Sequence, residues 1–387
     1  MKGVNHQNMN GTNKFLLLKM IATQGPISRI SLSEKTGLSK MTVTALVNEY
    51  IEKGIVYECG LSQNQGSSGR RPILLDIVAD SQLTLGVNIG RDNVRAGIID
   101  LRGNVLVSNN FAMGHINNAD DFMKALFVLC DSILKTSGSP KIWGIGVSTI
   151  GPISESKGVI YSPPAFYGIH DVPIVEKFKE RYHLPVYLAE DTKVSALTEM
   201  YLGNAQNYDH FFFVDIKPGV GGAMIVDRKL YGGASGMAGS FGHYIVEPDG
   251  IPCECGQKGC LERYCSTRAI LRWAKDNGAD PSLTWLSFLD KVAGGDEICL
   301  KAVKRLCHYL AIGVTNIIAF FDPQCIFIGG DLWTIQDMVV EGVRNEVMNH
   351  LWASDVRPKI DILASRFLNN ADFIGTAALV MENNLRA

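Results

Sequence analysis

The chain has 387 residues, 46% hydrophobic and 20% charged, with a formal net charge of −2. At about 100–200 residues per domain this suits a core-forming protein of two to three domains, and it excludes a disordered or collagen-like chain. The near-neutral total excludes a uniformly basic nucleic-acid binder, yet residues 1–80 hold nine Lys/Arg against six Asp/Glu while the rest hold 28 against 33, so a small basic module precedes a larger acidic body.

The opening MKGVNHQNMNGTNK is polar and lacks the apolar core of a signal peptide. No run of about 18 uncharged apolar residues follows, so a cytoplasmic protein without membrane contact is expected. Residues Lys14–Thr23 place apolar side chains at helical spacing and end at Gln24-Gly25-Pro26. Ser31 or Ser33 can cap a short helix that turns Leu32 inward, and Gly37 suits the turn after it. Ser39 can cap a second helix running to about Lys53. That helix has Val43, Leu46, Val47, Tyr50 and Ile51 on one face and Lys40, Thr42, Thr44, Ala45 and Asn48 on the other. This is a helix-turn-helix layout, with a plain helical hairpin as the alternative.

Two strands, Ile55–Cys59 and Pro72–Ile77, flank GLSQNQGSSGRRP, which has the Gly/Ser-rich tip of a wing. Arg70 and Arg71 at its base can reach phosphates or a narrow minor groove. Residues 1–80 are therefore expected to form a winged helix-turn-helix domain for double-stranded DNA. Ser39, Lys40, Met41, Thr42, Thr44 and Asn48 are its candidate reading residues, with Arg70 and Arg71 beside them.

From Gln82 the pattern becomes three strands joined at Arg91-Asp92-Asn93 and Arg102-Gly103-Asn104. A helix over about 120–136, a buried strand over 142–148, a helix over about 172–182, a strand over 186–189 and a helix over about 192–202 follow. FFFVDIKPGVGGAMIVDRKLYGG then begins the same sequence of events again. Long helices between about 269 and 319, a buried strand IFIGGDL and a terminal helix from about Ala371 complete it. Two related α/β lobes with a cleft between them are the simplest arrangement. Among nine cysteines, Cys253, Cys255 and Cys260 crowd into eight positions, a spacing that points to metal rather than to disulfides.

The segment GGASGMAGSFGHYIVEPDGIPCECGQKGCLERYCS resembles the ROK family of repressors and sugar kinases, and the front module with SSGRRP is similar to its repressor branch. The resemblance implies two actin/hexokinase-like (ribonuclease H-like) lobes, residues 81–200 with 367–387 and residues 201–366. It also implies one structural zinc per chain, held by His243, Cys253, Cys255 and Cys260, a closed tetrahedral set of one imidazole and three thiolates. The remaining Cys59, Cys130, Cys265, Cys299, Cys307 and Cys325 read as packing thiols. The implied sugar contacts are Glu190, Asp191, Ser240, His243 and Glu262, where Glu190 and Ser240 depart from the family's usual Asn and Glu. Capping of the helix at Thr192 is the alternative role for Glu190 and Asp191.

The family kinases carry Asp-x-Gly-Gly-Thr after the first strand, where this chain has Asn88-Ile89-Gly90-Arg91-Asp92. Their Gly-Thr-Gly loop is replaced by Lys217-Pro218-Gly219, and proline removes an amide donor. The expectation is no catalysis. The protein should be a sugar-responsive regulator, most simply a repressor of carbohydrate (xylose-type) utilisation genes, acting as a homodimer or dimer of dimers on a palindrome. A kinase fused to a DNA-binding domain, or a repressor answering to a partner protein, is the alternative.

Overall fold

The computed structural model describes residues 6–61, 71–114, 116–163, 166–350 and 360–386. By contacts the chain divides into two units, residues 1–194 with 372–387, and residues 195–371.

The first unit opens with α1 (His6–Gln24), β1 (Ile27–Ser28), α2 (Arg29–Thr36), α3 (Lys40–Glu52), β2 (Val56–Leu61) and β3 (Ile73–Ile77). Leu17, Leu18, Ile21, Leu32, Val43 and Val47 are fully buried and form the common core of the three helices. The cap of α2 is Ser28, whose side chain accepts from the Ser31 amide, and not Ser31 or Ser33. Ser28 is held extended by pairing with Leu74, which places its hydroxyl ahead of the helix. Gly37 ends α2 at φ +69, a backbone state that costs a glycine little. Ser39 caps α3 by accepting from the Thr42 amide. The strands form one antiparallel sheet in the order β1-β3-β2. Cys59 sits at a register shift between Glu58 and Gly60 and is exposed, so it is not the packing thiol expected. A bulge leaves one residue unpaired and turned out of the ladder.

β4 (Leu83–Ile89), β5 (Asn93–Ile99) and β6 (Val105–Ala112) form an antiparallel meander. The turn between β5 and β6 reaches back to the front module. Arg102 pairs with Asp76 of β3 at 2.6 Å, and the Leu101 amide donates to the Ala79 carbonyl. The Asp100 carboxylate organises that turn by accepting from the amides of Arg102 and Asn104 and from the Asn104 side chain. α4 (Ala119–Thr136), β7 (Ile142–Thr149), the short pair β8 (Ile153–Ser154) and β9 (Val159–Ile160), α5 (Ile174–Tyr182), β10 (Val186–Glu190) and α6 (Asp191–Tyr201) follow. The sheet runs β10-β7-β4-β5-β6, with β7 and β10 added parallel to β4.

The second unit repeats the plan. β11 (Phe211–Ile216), β12 (Val220–Val226) and β13 (Lys229–Leu230) are antiparallel. Helices α7 (Glu262–Cys265), α8 (Thr267–Asp276), α9 (Trp285–Ala293) and α10 (Glu297–Phe321) lead to β14 (Cys325–Gly330), α11 (Gln336–His350) and β15 (Asp361–Ala364). The sheet order is β13-β12-β11-β14-β15, again three antiparallel strands followed by two parallel ones. The final helix, α12 (Ala371–Arg386), returns to the first unit. It lies close on β4 and β7: a Cβ on Gly86 would come within 2.3 Å of Thr376 Oγ1, and one on Gly146 within 2.4 Å of the Thr376 carbonyl. Cys130, Cys265, Cys299, Cys307 and Cys325 are buried as expected. Among the described residues no helix is long and apolar enough to cross a membrane.

Candidate functional site

In α3 the inward residues Val43, Leu46, Val47 and Tyr50 are buried, while Ser39, Lys40, Met41, Thr44 and Asn48 are exposed. Met41 is 84% exposed. Thr42 is half-buried, and its hydroxyl lies 2.9 Å from that of Ser39, so these two hydroxyls are joined in the cap. Thr44 donates to the Lys40 carbonyl. Asn48 accepts from Arg29 at 3.2 Å, and Arg29 also pairs with Glu58 at 2.9 Å. Arg29 is a cation beside the reading helix that periodicity did not single out, because its place depends on α2, α3 and β2 together. Arg71 is exposed just ahead of β3, whereas Arg70 lies outside the described residues.

In the second unit His243, Cys253, Cys255 and Cys260 converge, with their ligand atoms within 4.8 Å of one another. His243 Nδ1 is 3.7 Å from Cys253 Sγ, and Cys255 Sγ is 3.6 Å from Cys260 Sγ. A zinc tetrahedron with Zn–S of about 2.3 Å and Zn–N of about 2.0 Å has edges of about 3.5–3.8 Å, so these spacings fit that ion. Gly259 makes the turn possible: it has φ +70, and a Cβ there would meet the Glu247 carbonyl at 1.6 Å. The Tyr264 hydroxyl accepts from the Ile251 amide and props the loop from below. Burial and the adjoining Cys255 and Cys253 push the Cys260 thiol up to about 12. Sulfurs this close resist ionising together unless a cation offsets their charge.

The candidate sugar contacts divide between the units. In the first, Glu190 ends β10 and Asp191 begins α6. Glu190 lies 3.3 Å from Lys193 Nζ, and burial pushes its carboxyl up while the lysine opposes that. Asp191 Oδ1 accepts from the Thr192 amide at 2.8 Å within the first turn of α6. In the second unit the exposed Ser240 donates to the Met237 carbonyl at 3.1 Å, and the His243 amide donates back to the Ser240 carbonyl. Glu262 accepts from the Val220 amide at 3.0 Å, beside Gly219. With Nδ1 of His243 turned to the thiols, Nε2 faces the other way.

The two segments that depart from the kinase motifs make internal polar contacts. Asp92 accepts from the Tyr167 hydroxyl at 3.1 Å. Lys217 pairs with the buried Asp215 at 2.9 Å, and its amide donates to the Gly219 carbonyl. Asn88 donates to Ser148 at 3.4 Å.

Residues 84–383 match the profile of the ROK family, and residues 12–57 match that of winged helix-turn-helix DNA-binding domains. The xylose repressor of Bacillus subtilis (strain 168) is 30% identical over 377 residues, covering 96% of each chain. A glucokinase of Streptomyces coelicolor is 27% identical over 316 residues, 78% of this chain and 98% of its own. The crystal structure of a ROK family transcriptional regulator, a homolog of the E. coli MLC protein, superposes with a TM-score of 0.81 at 24% identity, over 98% of this chain and 97% of the other. The fold is accordingly a winged helix-turn-helix followed by two actin/hexokinase-like α/β lobes.

Proposed function

The chain belongs to the ROK family, and we propose that it is a sugar-responsive DNA-binding repressor of carbohydrate-utilisation genes. The observation that carries this reading is the end-to-end correspondence with a repressor, front module included, whereas the glucokinase has no counterpart for about a fifth of this chain. In this reading Ser39, Lys40, Met41, Thr42, Thr44 and Asn48 read bases in the major groove, and Arg70 and Arg71 of the wing hold backbone or minor groove. One such module buries too little surface for tight specific binding, so two chains share a palindromic operator as a homodimer. Its place is the cytoplasm, where the DNA is. Xylose is the first effector to test, because it is the sugar in the name of the Bacillus relative.

The donor set His243, Cys253, Cys255 and Cys260 would hold one zinc per chain, which has no open position left and so would serve structure. When bound, the ion orders the imidazole, leaving Nε2 of His243 for a sugar hydroxyl. Glu190, Asp191, Ser240 and Glu262 supply the other contacts to the sugar. Phosphoryl transfer is not part of the function in this reading, since Asp92 would repel phosphate in the first loop and Pro218 removes an amide donor from the second.

Thermal melting of the full chain tests the reading. D-xylose or another free sugar is expected to raise the melting temperature, because a ligand that binds only the folded state stabilises it, by about 2.7 kcal/mol at a hundredfold excess over Kd. Sugar with ATP and magnesium is expected to yield no sugar phosphate. Turnover would install the kinase reading, and silence to every free sugar would favour control by a partner protein.

A further inference from the structure

Glu190 is seated from two sides within the first unit. Its Oε2 lies 3.3 Å from Lys193 Nζ, one helical turn onward. The same ammonium donates to Glu155 at 2.8 Å, on the turn between β8 and β9. The other oxygen, Oε1, rests over the bare Cα of Gly151, where a Cβ would come within 2.6 Å of it. The Lys193 side chain is 3% exposed and that of Glu155 is 42% exposed. A lysine is seldom buried so far unless paired, and this one joins two separate segments of chain.

We propose that Lys193 and Gly151 are positioning residues that hold the Glu190 carboxylate in one orientation for the effector, so that this position accepts hydrogen bonds from sugar hydroxyls and donates none. The inference rests on the sugar-responsive reading above. The charged groups facing Glu190 are Lys193, Asp191 and Glu155: the lysine favours its ionised form, while the two acids and burial oppose it. An ionised carboxylate only accepts, whereas an amide would both accept and donate. Position 190 therefore selects a neutral polyol that presents hydroxyl hydrogens, and it disfavours an anionic group nearby. Gly151 supplies the room, and Glu155 fastens the lysine from the solvent side.

The test uses the full-length protein, calorimetry with D-xylose as probe, and carbon-detected titration of labelled glutamate side chains, with Glu190→Gln to assign the signal. Lys193→Met is expected to weaken D-xylose binding about tenfold or more, the scale of a lost charge-assisted contact. It is also expected to raise the Glu190 titration midpoint, with Lys193→Arg restoring most of both. Gly151→Ala, which leaves the lysine in place, is expected to weaken D-xylose binding by displacing the carboxylate, and it decides the matter if Lys193→Met does not fold. Unchanged D-xylose affinity in both variants, or an unmoved midpoint in a folded Lys193→Met, overturns the inference. A wild type that binds no free sugar defeats the sugar-responsive reading instead. The midpoint alone then judges the seat: higher in Lys193→Met upholds it, equal overturns it.

Discussion

Cys255→Ser is expected to take bound zinc from one per chain to near none by elemental analysis, and to abolish stabilisation by sugar. The size of the effect follows from all four ligands lying on one short stretch of chain, His243 to Cys260, so that the ion cross-links that stretch to itself. Structural zinc contributes about 10–16 kcal/mol of apparent binding free energy in small zinc-binding peptides, comparable to the whole stability of an ordinary domain. Loss of the ion frees the His243 ring. It also removes one anchor from the chain at Cys260, two residues before Glu262, whose carboxylate accepts from the Val220 amide. Two of the proposed sugar contacts therefore loosen together. The front module shares no ligand with the cluster, so duplex DNA binding by the variant is expected to persist. Wild-type protein purified without chelator and carrying no zinc would remove this part of the account.

Replacing Arg70 and Arg71 together with Ala is expected to weaken operator binding by on the order of tenfold per arginine. The slope of log affinity against log salt should become shallower by about two, since each phosphate contact contributes about 0.9. Arg71 stands exposed two residues before β3. The recognition helix should behave differently. Lys40→Ala or Asn48→Ala should relax the choice of bases at one operator position, with less effect on the salt slope than the wing variant. An unaltered slope in the double variant would show that the wing does not touch phosphate.

Much of the fold is legible in the chain because its signals are local. Ser39 and Gly37 mark real helix ends, and the turns at Arg91-Asp92-Asn93 and Arg102-Gly103-Asn104 bound the meander of β4, β5 and β6. β1 escaped because two residues carry no periodicity, and its pairing with β3 is what moves the α2 cap to Ser28. α11 does carry a local signal, since Val339, Val340, Val343 and Val347 recur at helical spacing and are buried. β15 is four residues long, too short to alternate convincingly. The cysteine cluster could be anticipated from spacing and motif. Arg29, Tyr167 and Lys193 could not, since each acts through a partner 19 or more residues away: Asn48, Asp92 and Glu155.

One chain is expected both to grip duplex DNA and to let go on meeting a free sugar. The most direct measurement is fluorescence anisotropy of an operator, selected from genomic fragments by the full-length protein, titrated with and without D-xylose and then a panel of other free sugars. The account predicts tight binding with two chains per palindrome, and a rise of about 5–150-fold in apparent Kd when the right sugar is present, the usual range of such coupling. No affinity for any duplex, or an operator complex indifferent to every free sugar, would contradict it.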